Sequence, residues 1–330
     1  MSNPLLYSYH KNVKLSNSNP ICEVIFMVDN IKIAVLGGDR RQIYALARLA
    51  RGKRRVSVCG LPRETVCSLC GSEVDFADGV EDALKGASVI LLPFPASTDG
   101  VRINCPLDTG SVLADVKLAS VIRLTERDAL IIGGKLPLPF VLAAREQDLT
   151  VADLLESDDF EIKNAYITAE AALSVAMNSL SKNINGTKIA VTGFGRISKH
   201  LCRLLDLLGV SVTVCARRPS DLAFAETLGY DTQMFSGERW CDSLIGGYDI
   251  IYNTVPSRIF DRSFLELVDK KTLLIELASV PGGFDIAAAQ EFSANISWAL
   301  SLPGKYAPES AGMLIAECTE KLIDGKVGKL

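Results

Sequence analysis

The chain is poor in histidine: it has two in 330 residues, His10 and His200. Proton abstraction by an imidazole paired with a carboxylate needs a histidine in the site. His10 lies in a stretch rich in Asn, Ser, Pro and Tyr, and His200 sits inside an amphipathic helix pattern, so neither suits that task. This inventory disfavours a 2-hydroxy acid dehydrogenase. Basic runs are also missing. The densest cluster, Arg51-Gly52-Lys53-Arg54-Arg55, reads as a solvated turn, and 35 basic against 39 acidic residues leave no electrostatic footprint for nucleic acid. Long apolar runs are lacking too. Ile21 to Val28 is short and interrupted by Glu23, which makes it neither a membrane span nor a signal peptide. Residues 1–30 are expected to be a tail, or an upstream start with the true beginning at Met27, and a cytoplasmic location with no membrane partner follows. Nine scattered cysteines read as buried thiols in a reducing compartment rather than a disulfide framework. Cys67-Ser68-Leu69-Cys70, with Cys59 nearby, could begin a zinc site, but no histidine or second cysteine pair completes it, so no metal is expected.

What the chain does have is alternation. Ile31 to Leu36 is an apolar run ending in Gly37-Gly38, followed by helical spacing at Ile43, Leu46, Ala47 and Leu49 and by the strand Val56 to Cys59. Ser88 to Leu92 and Ala129 to Ile132 extend this βαβ unit into a small parallel sheet, placing a first α/β domain at 31–158. Ala169, Leu173, Ala176, Met177 and Leu180 recur at helical spacing, with Thr168 as N-cap and Glu170 in the first turn. That helix is expected to join the domains within 159–182. From 183 to 302 the pattern repeats as Lys188 to Thr192, a helix, Val210 to Cys215, a Ser220-capped helix, Asp249 to Tyr252, Thr272 to Leu277 and Ile296 to Leu300. A final helix around Ala311, Leu314, Ile315, Cys318 and Leu322, in 303–330, is expected to return to the first domain. The fold class is α/β, with two Rossmann-like domains of which the C-terminal one is doubly wound.

The second domain opens with Gly193-Phe194-Gly195-Arg196-Ile197-Ser198, where strand, glycine turn and helix N-terminus coincide. Gly193 permits the tight turn, Gly195 lets a pyrophosphate approach the backbone, and Ser198 takes the position of a third small residue. Beyond the next strand the chain reads Ala216-Arg217-Arg218-Pro219-Ser220, with no acid at the strand tip to accept a ribose 2′-hydroxyl. Two arginines and a serine suit a 2′-phosphate instead, so NADP is expected over NAD. Asn253-Thr254-Val255-Pro256 and Leu277-Ala278-Ser279 end later strands at the carboxyl edge and are further cofactor candidates.

Four segments together resemble the A-subunit family of dipicolinate synthase: Ile33 to Gln42, Asn253 to Ser257, Glu276 to Gly283 and Leu302 to Gly312. The resemblance covers residues 31 to 325 in motif order and spacing. It departs from the family at Ile167, where proline is usual, and at Ala171, where glycine is usual. It implies oxidation of a dihydrodipicolinate-type intermediate of lysine biosynthesis to pyridine-2,6-dicarboxylate, with hydride passing to NADP. It further implies a partner, the flavoprotein-like B-subunit of dipicolinate synthase, and a place in the mother cell of spore-forming bacteria. Association into a homo-oligomer is left open.

A dicarboxylate substrate calls for cations or helix N-terminal amides at both acid groups and for a base to take the ring proton. Gly38, Arg40 and Arg41 at the first glycine turn, with Lys305 and Ser310 before and at the start of the last helix, are the expected substrate contacts. Glu170 is the first candidate base, Asp39 the second, and Thr168 a third catalytic candidate. An NADP-dependent 2-hydroxy acid or amino acid dehydrogenase is one alternative, and a regulatory NADP-binding protein without turnover of its own is the other.

Overall fold

Short strands that are apolar at nearly every position need cover on both faces, and helices supply it. The computed structural model describes residues 31–327 apart from 52–53, 72–73, 109–111, 114 and 237–239. The tail containing His10, the proposed start at Met27, and Gly52 and Lys53 of the basic cluster lie outside the described residues.

The first sheet is built from β1 (Lys32–Leu36), β2 (Arg55–Cys59), β3 (Val74–Phe76), β4 (Val89–Leu91), β5 (Leu130–Gly133) and β6 (Thr150–Asp153), all parallel, in the order β3-β2-β1-β4-β5-β6. Between them run α1 (Arg40–Ala50), α2 (Arg63–Cys70), α3 (Val80–Leu84), α4 (Leu118–Leu124) and α5 (Leu138–Arg145). Ile33, Val35 and Val58 pack into one core with α1, while Ala34, Leu36 and Ile90 pack into a second on the opposite face. This is the period-two division that a doubly covered sheet requires.

The second sheet repeats the plan. It contains β7 (Lys188–Thr192), β8 (Ser211–Ala216), β9 (Asp231–Met234), β10 (Ile250–Asn253), β11 (Leu273–Glu276) and β12 (Ile296–Trp298), in the order β12-β11-β10-β7-β8-β9. With β7 counted as its first strand, this is the same 3-2-1-4-5-6 order, and in both halves the switch point lies between the first strand and the fourth. Its helices are α7 (Arg196–Leu207), α8 (Pro219–Thr227), α9 (Arg262–Leu267) and α10 (Ile286–Glu291).

β3, β6 and β9 are not among the expected strands, because they are the short or polar ones at the sheet edges. The connecting helix also begins well before the expected cap at Thr168. That helix, α6, spans Asp158–Ser179. Thr168 is therefore not a cap but lies in mid-helix, where its hydroxyl donates to the Asn164 carbonyl at 2.8 Å. The reason is local: three acids in the first turn, Asp158, Asp159 and Glu161, favour a helix N-terminus well upstream of the apolar periodicity. The early residues Phe160 and Ile167 belong to the first core, and Ala169, Ala172, Val175 and Ala176 belong to a core of the second sheet. A single helix thus shares its side chains between both domains.

After α11 (Leu302–Tyr306), α12 (Pro308–Val327) returns to the first domain and lies along α1. Arg48 of α1 meets Glu320 of α12 at 2.7 Å, and Lys163 of α6 meets Glu317 at 2.9 Å. These pairs are exposed or half-buried and contribute at most about 1 kcal/mol each. The apolar contacts of Ala311, Leu314, Ile315 and Cys318 with the first core hold the helix.

Candidate functional site

Both sheets end their first strand in a glycine turn that leads into a helix, and the two turns align residue for residue. Gly37, Gly38 and Asp39 in the first correspond to Gly193, Phe194 and Gly195 in the second. Each first glycine has a positive φ, 55° at Gly37 and 86° at Gly193, and each donates its N–H to the end of the neighbouring strand, Cys59 or Cys215, at 2.8 Å. Beyond that point they differ. In the first turn the Gly38 N–H is taken by the Asn104 carbonyl at 2.9 Å, and the Asp39 carboxylate caps α1 by accepting from the Arg41 N–H at 3.0 Å. The helix N-terminus is filled by the protein's own acceptors. In the second turn Gly195 occupies the cap position with no side chain, and a Cβ built there would meet nothing within 4 Å. An open N-terminus with exposed amides and the positive end of the helix dipole is a site for an anion such as a pyrophosphate.

Gly38 thereby departs from its expected part. It is buried with its N–H engaged, so the first turn offers no amide cradle to a substrate carboxylate. Arg40 is exposed and lines neither of the two clefts described next.

Those clefts meet at the second turn. One is lined by Glu161, Asn164, Ala165 and Thr168 of α6 together with Gly195, Arg196, Ile197, Ser198, Thr254 and Pro256. The other, of about 480 Å³, runs between the domains, and its walls include Arg41, Phe94, Lys135, Asn164, Thr168, Ile197, Thr254, Leu277, Ala278, Ser279, Ser301 and Pro303. Its size is that of a small-molecule site. Asn164 and Thr168, one helical turn apart, face both clefts.

On the far side of the second turn a third cleft is lined by Gly193, Phe194, Ala216, Arg217, Arg218, Asp221, Val255 and Pro256. An acid does stand near the β8 tip, contrary to the sequence reading: Asp221, in the first turn of α8, pairs with Arg218 at 2.8 Å. Arg217 shares the cleft with them. Ser220 is exposed and outside this lining, and the cap position of α8 belongs to Arg218 rather than to Ser220. Burial pushes the thiol of Cys215, at the end of β8, up to about 12, so it is inert beside this cleft. The Cys59 thiol at the matching tip of β2 is raised to about 11, by burial first and then by Asp108, Asp82 and Asp78.

Thr254 links the turn to the sheet. Its hydroxyl donates to the Thr192 carbonyl at 2.7 Å and lies 2.8 Å from the Ser198 hydroxyl. Asn253, expected to touch a cofactor, is instead buried with its amide engaged. Its Nδ2 donates to Glu276 at 2.7 Å and to the Val255 carbonyl at 3.0 Å, and its Oδ1 accepts from the Thr192 hydroxyl at 2.7 Å. Asn253 therefore positions the loop that carries Thr254 to Pro256. Glu276, 1% exposed, accepts from Asn253 and from the N–H groups of Ala278 at 2.9 Å, Gly283 at 2.6 Å and Phe284 at 3.3 Å. A buried carboxylate with four donors is satisfied and fixes the Leu277-Ala278-Ser279 wall of the cleft.

The candidate bases fare differently. Glu170 is exposed and lines neither of the clefts that Thr168 faces. Two residues along a helix turn a side chain by about 200°, so Glu170 faces away from the side that Thr168 presents. Asp39 is bound by the Arg41 guanidinium, Nη2 to Oδ2 at 2.8 Å and Nε to Oδ1 at 3.0 Å, which gives it a capping and anchoring task. Lys305 and Ser310 are outside the cleft lining and exposed, because α11 turns Leu302 and Pro303 inward instead. His200 stacks edge-on against Tyr166 at 5.5 Å. Arg196 reaches across to Asp158 and Glu161 at the start of α6. Lys135, Asn164 and Glu161 carry no sequence signal of their own: Lys135 follows a Gly-Gly pair that any turn could hold, and the other two precede the apolar periodicity that starts near Thr168.

Among the described residues, no group of three or more His, Cys, Asp or Glu side chains is placed to hold a metal ion, and no helix is long and apolar enough to cross a membrane.

Two Rossmann-type sheets joined by a shared helix, with one open and one filled glycine turn at an interdomain cleft, define a dehydrogenase-like two-domain α/β protein. L-alanine dehydrogenase shares this fold at a TM-score of 0.59 and 12% identity over 89% of each chain. The family model for the N-terminal domain of the dipicolinate synthase A-subunit matches residues 32–155. The dipicolinate synthase A-subunit of Bacillus subtilis (strain 168) is 28% identical over 304 residues, covering 90% of this chain and 97% of the relative. The crystal structure of the dipicolinate synthase A chain from Bacillus subtilis superposes with a TM-score of 0.77 at 26% identity, covering 91% of this chain and 98% of that one. Residues 32–155 thus match the N-terminal domain family of the dipicolinate synthase A-subunit, and nearly the whole chain is similar to dipicolinate synthase A-subunits.

Proposed function

We propose that this chain is an NADP-dependent oxidoreductase that converts a dihydrodipicolinate-type intermediate to pyridine-2,6-dicarboxylate. The observation that carries this reading is the unfilled N-terminus of α7, which opens beside the cleft that Arg41 lines. The dinucleotide pyrophosphate would lie against Gly193 to Ile197, and the nicotinamide, which accepts hydride when bound, would enter the interdomain cleft. Arg217 is the cation best placed for a 2′-phosphate, with Arg218 held next to it by Asp221. Leu277, Ala278 and Ser279 would form the opposite wall. Aromatisation supplies driving force, so the protein's tasks are to orient the ring and to keep water from competing. The dipicolinate synthase name carried by the B. subtilis relatives supports the substrate class. With that class go a role in sporulation, a place in the mother-cell cytoplasm and the flavoprotein-like B-subunit of the synthase as partner.

The test follows NADPH absorbance with NADP+ and dihydrodipicolinate, with and without the B-subunit, and repeats it with NAD+. NADPH and pyridine dicarboxylate formation in at least one arm is expected. NADP+ binding with no pyridine dicarboxylate in either arm contradicts the enzyme reading and leaves a regulatory NADP-binding protein. Arg217→Ala is expected to lower NADP+ affinity about tenfold, equal to roughly 1.4 kcal/mol, and to leave NAD+ affinity unchanged. An unaltered preference contradicts the 2′-phosphate assignment.

A further inference from the structure

A diacid needs a partner at each end, and only one of the substrate contacts expected from the sequence, Arg41, lines the cleft. Its guanidinium is fixed by the Asp39 carboxylate and by the Phe94 carbonyl. The same cleft holds a second cation, Lys135, which makes no ion pair among the described residues. We propose that Lys135 is the second carboxylate anchor and that the Arg41–Lys135 pair selects a substrate with an acid group at each end. This inference rests on the diacid reading above and deepens it.

The placement of the two cations is built into the sheet. Arg41 follows β1 and Lys135 follows β5, and the two strands flank β4, with Val35 opposite Leu91 and Leu91 opposite Ile132. Adjacent strands lie about 4.8 Å apart, so the two chain ends stand roughly 10 Å apart at the sheet edge. One loop lies between them and touches both. The Phe94 carbonyl that leaves β4 takes Arg41, and the Phe94 ring packs so closely on Gly134 that a Cβ there would collide with it. The Gly134 N–H donates to the Pro93 carbonyl at 3.2 Å.

Lys135 itself has a left-handed backbone, φ 52°, which a lysine adopts only where its surroundings impose it. Asp153, at the end of β6, imposes it by accepting from the Lys135 N–H at 3.1 Å and the Leu136 N–H at 2.7 Å. A cleft residue with its backbone pinned and its ammonium without an ion-pair partner among the described residues is pre-organised for an anionic partner. A monoacid held by Arg41 would leave that ammonium in water and gain nothing from it.

The experiment is calorimetric titration of the NADP+-loaded chain with pyridine-2,6-dicarboxylate and with pyridine-2-carboxylate, for the native chain, Lys135→Met and Lys135→Arg. Native protein is expected to prefer the diacid by tenfold or more. Lys135→Met is expected to lose that preference through weaker diacid binding alone, with monoacid and NADP+ affinities unchanged, and Lys135→Arg to restore most of it. A diacid preference that survives in Lys135→Met overturns the role of Lys135 while leaving the diacid reading intact. A native chain that binds neither pyridine acid, or does not discriminate between them, overturns the diacid reading itself.

Discussion

The two halves of this chain are built to one plan, and their glycine turns part at the helix cap. Where the second glycine turn has Gly195, the first has Asp39, and a carboxylate in that position closes a helix N-terminus that would otherwise receive an anion. The Asn104 carbonyl takes the Gly38 N–H as well, so the first turn is filled from two directions. In the proposed function one Rossmann unit receives the dinucleotide, and the other turns its carboxyl edge to the substrate. A glycine fingerprint marks a turn, whereas the residue at the cap and the loop above it decide whether the turn binds anything.

The most severe way to break the difference is to write the first turn into the second. Gly195→Asp is expected to lower NADP+ affinity at least about 100-fold by occupying amides and adding a like charge, a loss of about 3 kcal/mol. Because nothing crowds that Cβ, the fold should hold, and the new cap should leave the melting temperature unchanged or slightly raised. Calorimetry and thermal unfolding on one preparation check both.

Next comes the buried clamp that the second sheet has at the end of β11. Glu276→Ala leaves four donors in an interior without an acceptor and is expected to cost about 3 kcal/mol of stability. Denaturant unfolding measures this cost. Protease sensitivity near 277–284 should rise with it.

The reverse exchange is gentler. Asp39→Gly removes a helix cap and the partner of Arg41, costing about 1 kcal/mol by denaturant unfolding, and no second dinucleotide site is expected to appear. The Asn104 carbonyl still fills the turn in that variant, and a gain of dinucleotide binding would contradict its role.

The smallest effect sits at the other end of the sheets. Asp249, below β10, receives Lys182 Nζ at 2.6 Å and the Lys188 N–H at 2.9 Å, and these hold its carboxyl below the usual range, Lys182 most strongly. A carboxylate with a depressed pKa in the folded state contributes stability above its unfolded pKa, near 4, and loses it as pH falls through the folded value. Asp249→Asn should therefore lower stability slightly at neutral pH and flatten its decline below pH about 4. The matching position of the first sheet, Ser88, has no carboxylate to titrate.

Most of the architecture was legible in the sequence, and less of the site. Buried parallel strands such as Ile250–Asn253 and Leu273–Glu276 are apolar enough to be recognised alone. Asp231–Met234 and Thr150–Asp153 are not, because edge strands tolerate polar residues and depend on a neighbour for their hydrogen bonds. The Gly193 turn was visible through its flanking strand and helix. The filling of the Gly37-Gly38 turn was not, since the acceptor that fills it, Asn104, is distant in sequence. Lys135 was hidden for the same reason: its neighbours Phe94 and Asp153 come from other strands.

The most direct test of the account counts dinucleotides. Calorimetric titration with NADP+ should return one site per chain in the native protein and in Asp39→Gly, and none in Gly195→Asp. Two sites in the native chain, or binding that persists undiminished in Gly195→Asp, would contradict the assignment of the open and filled turns.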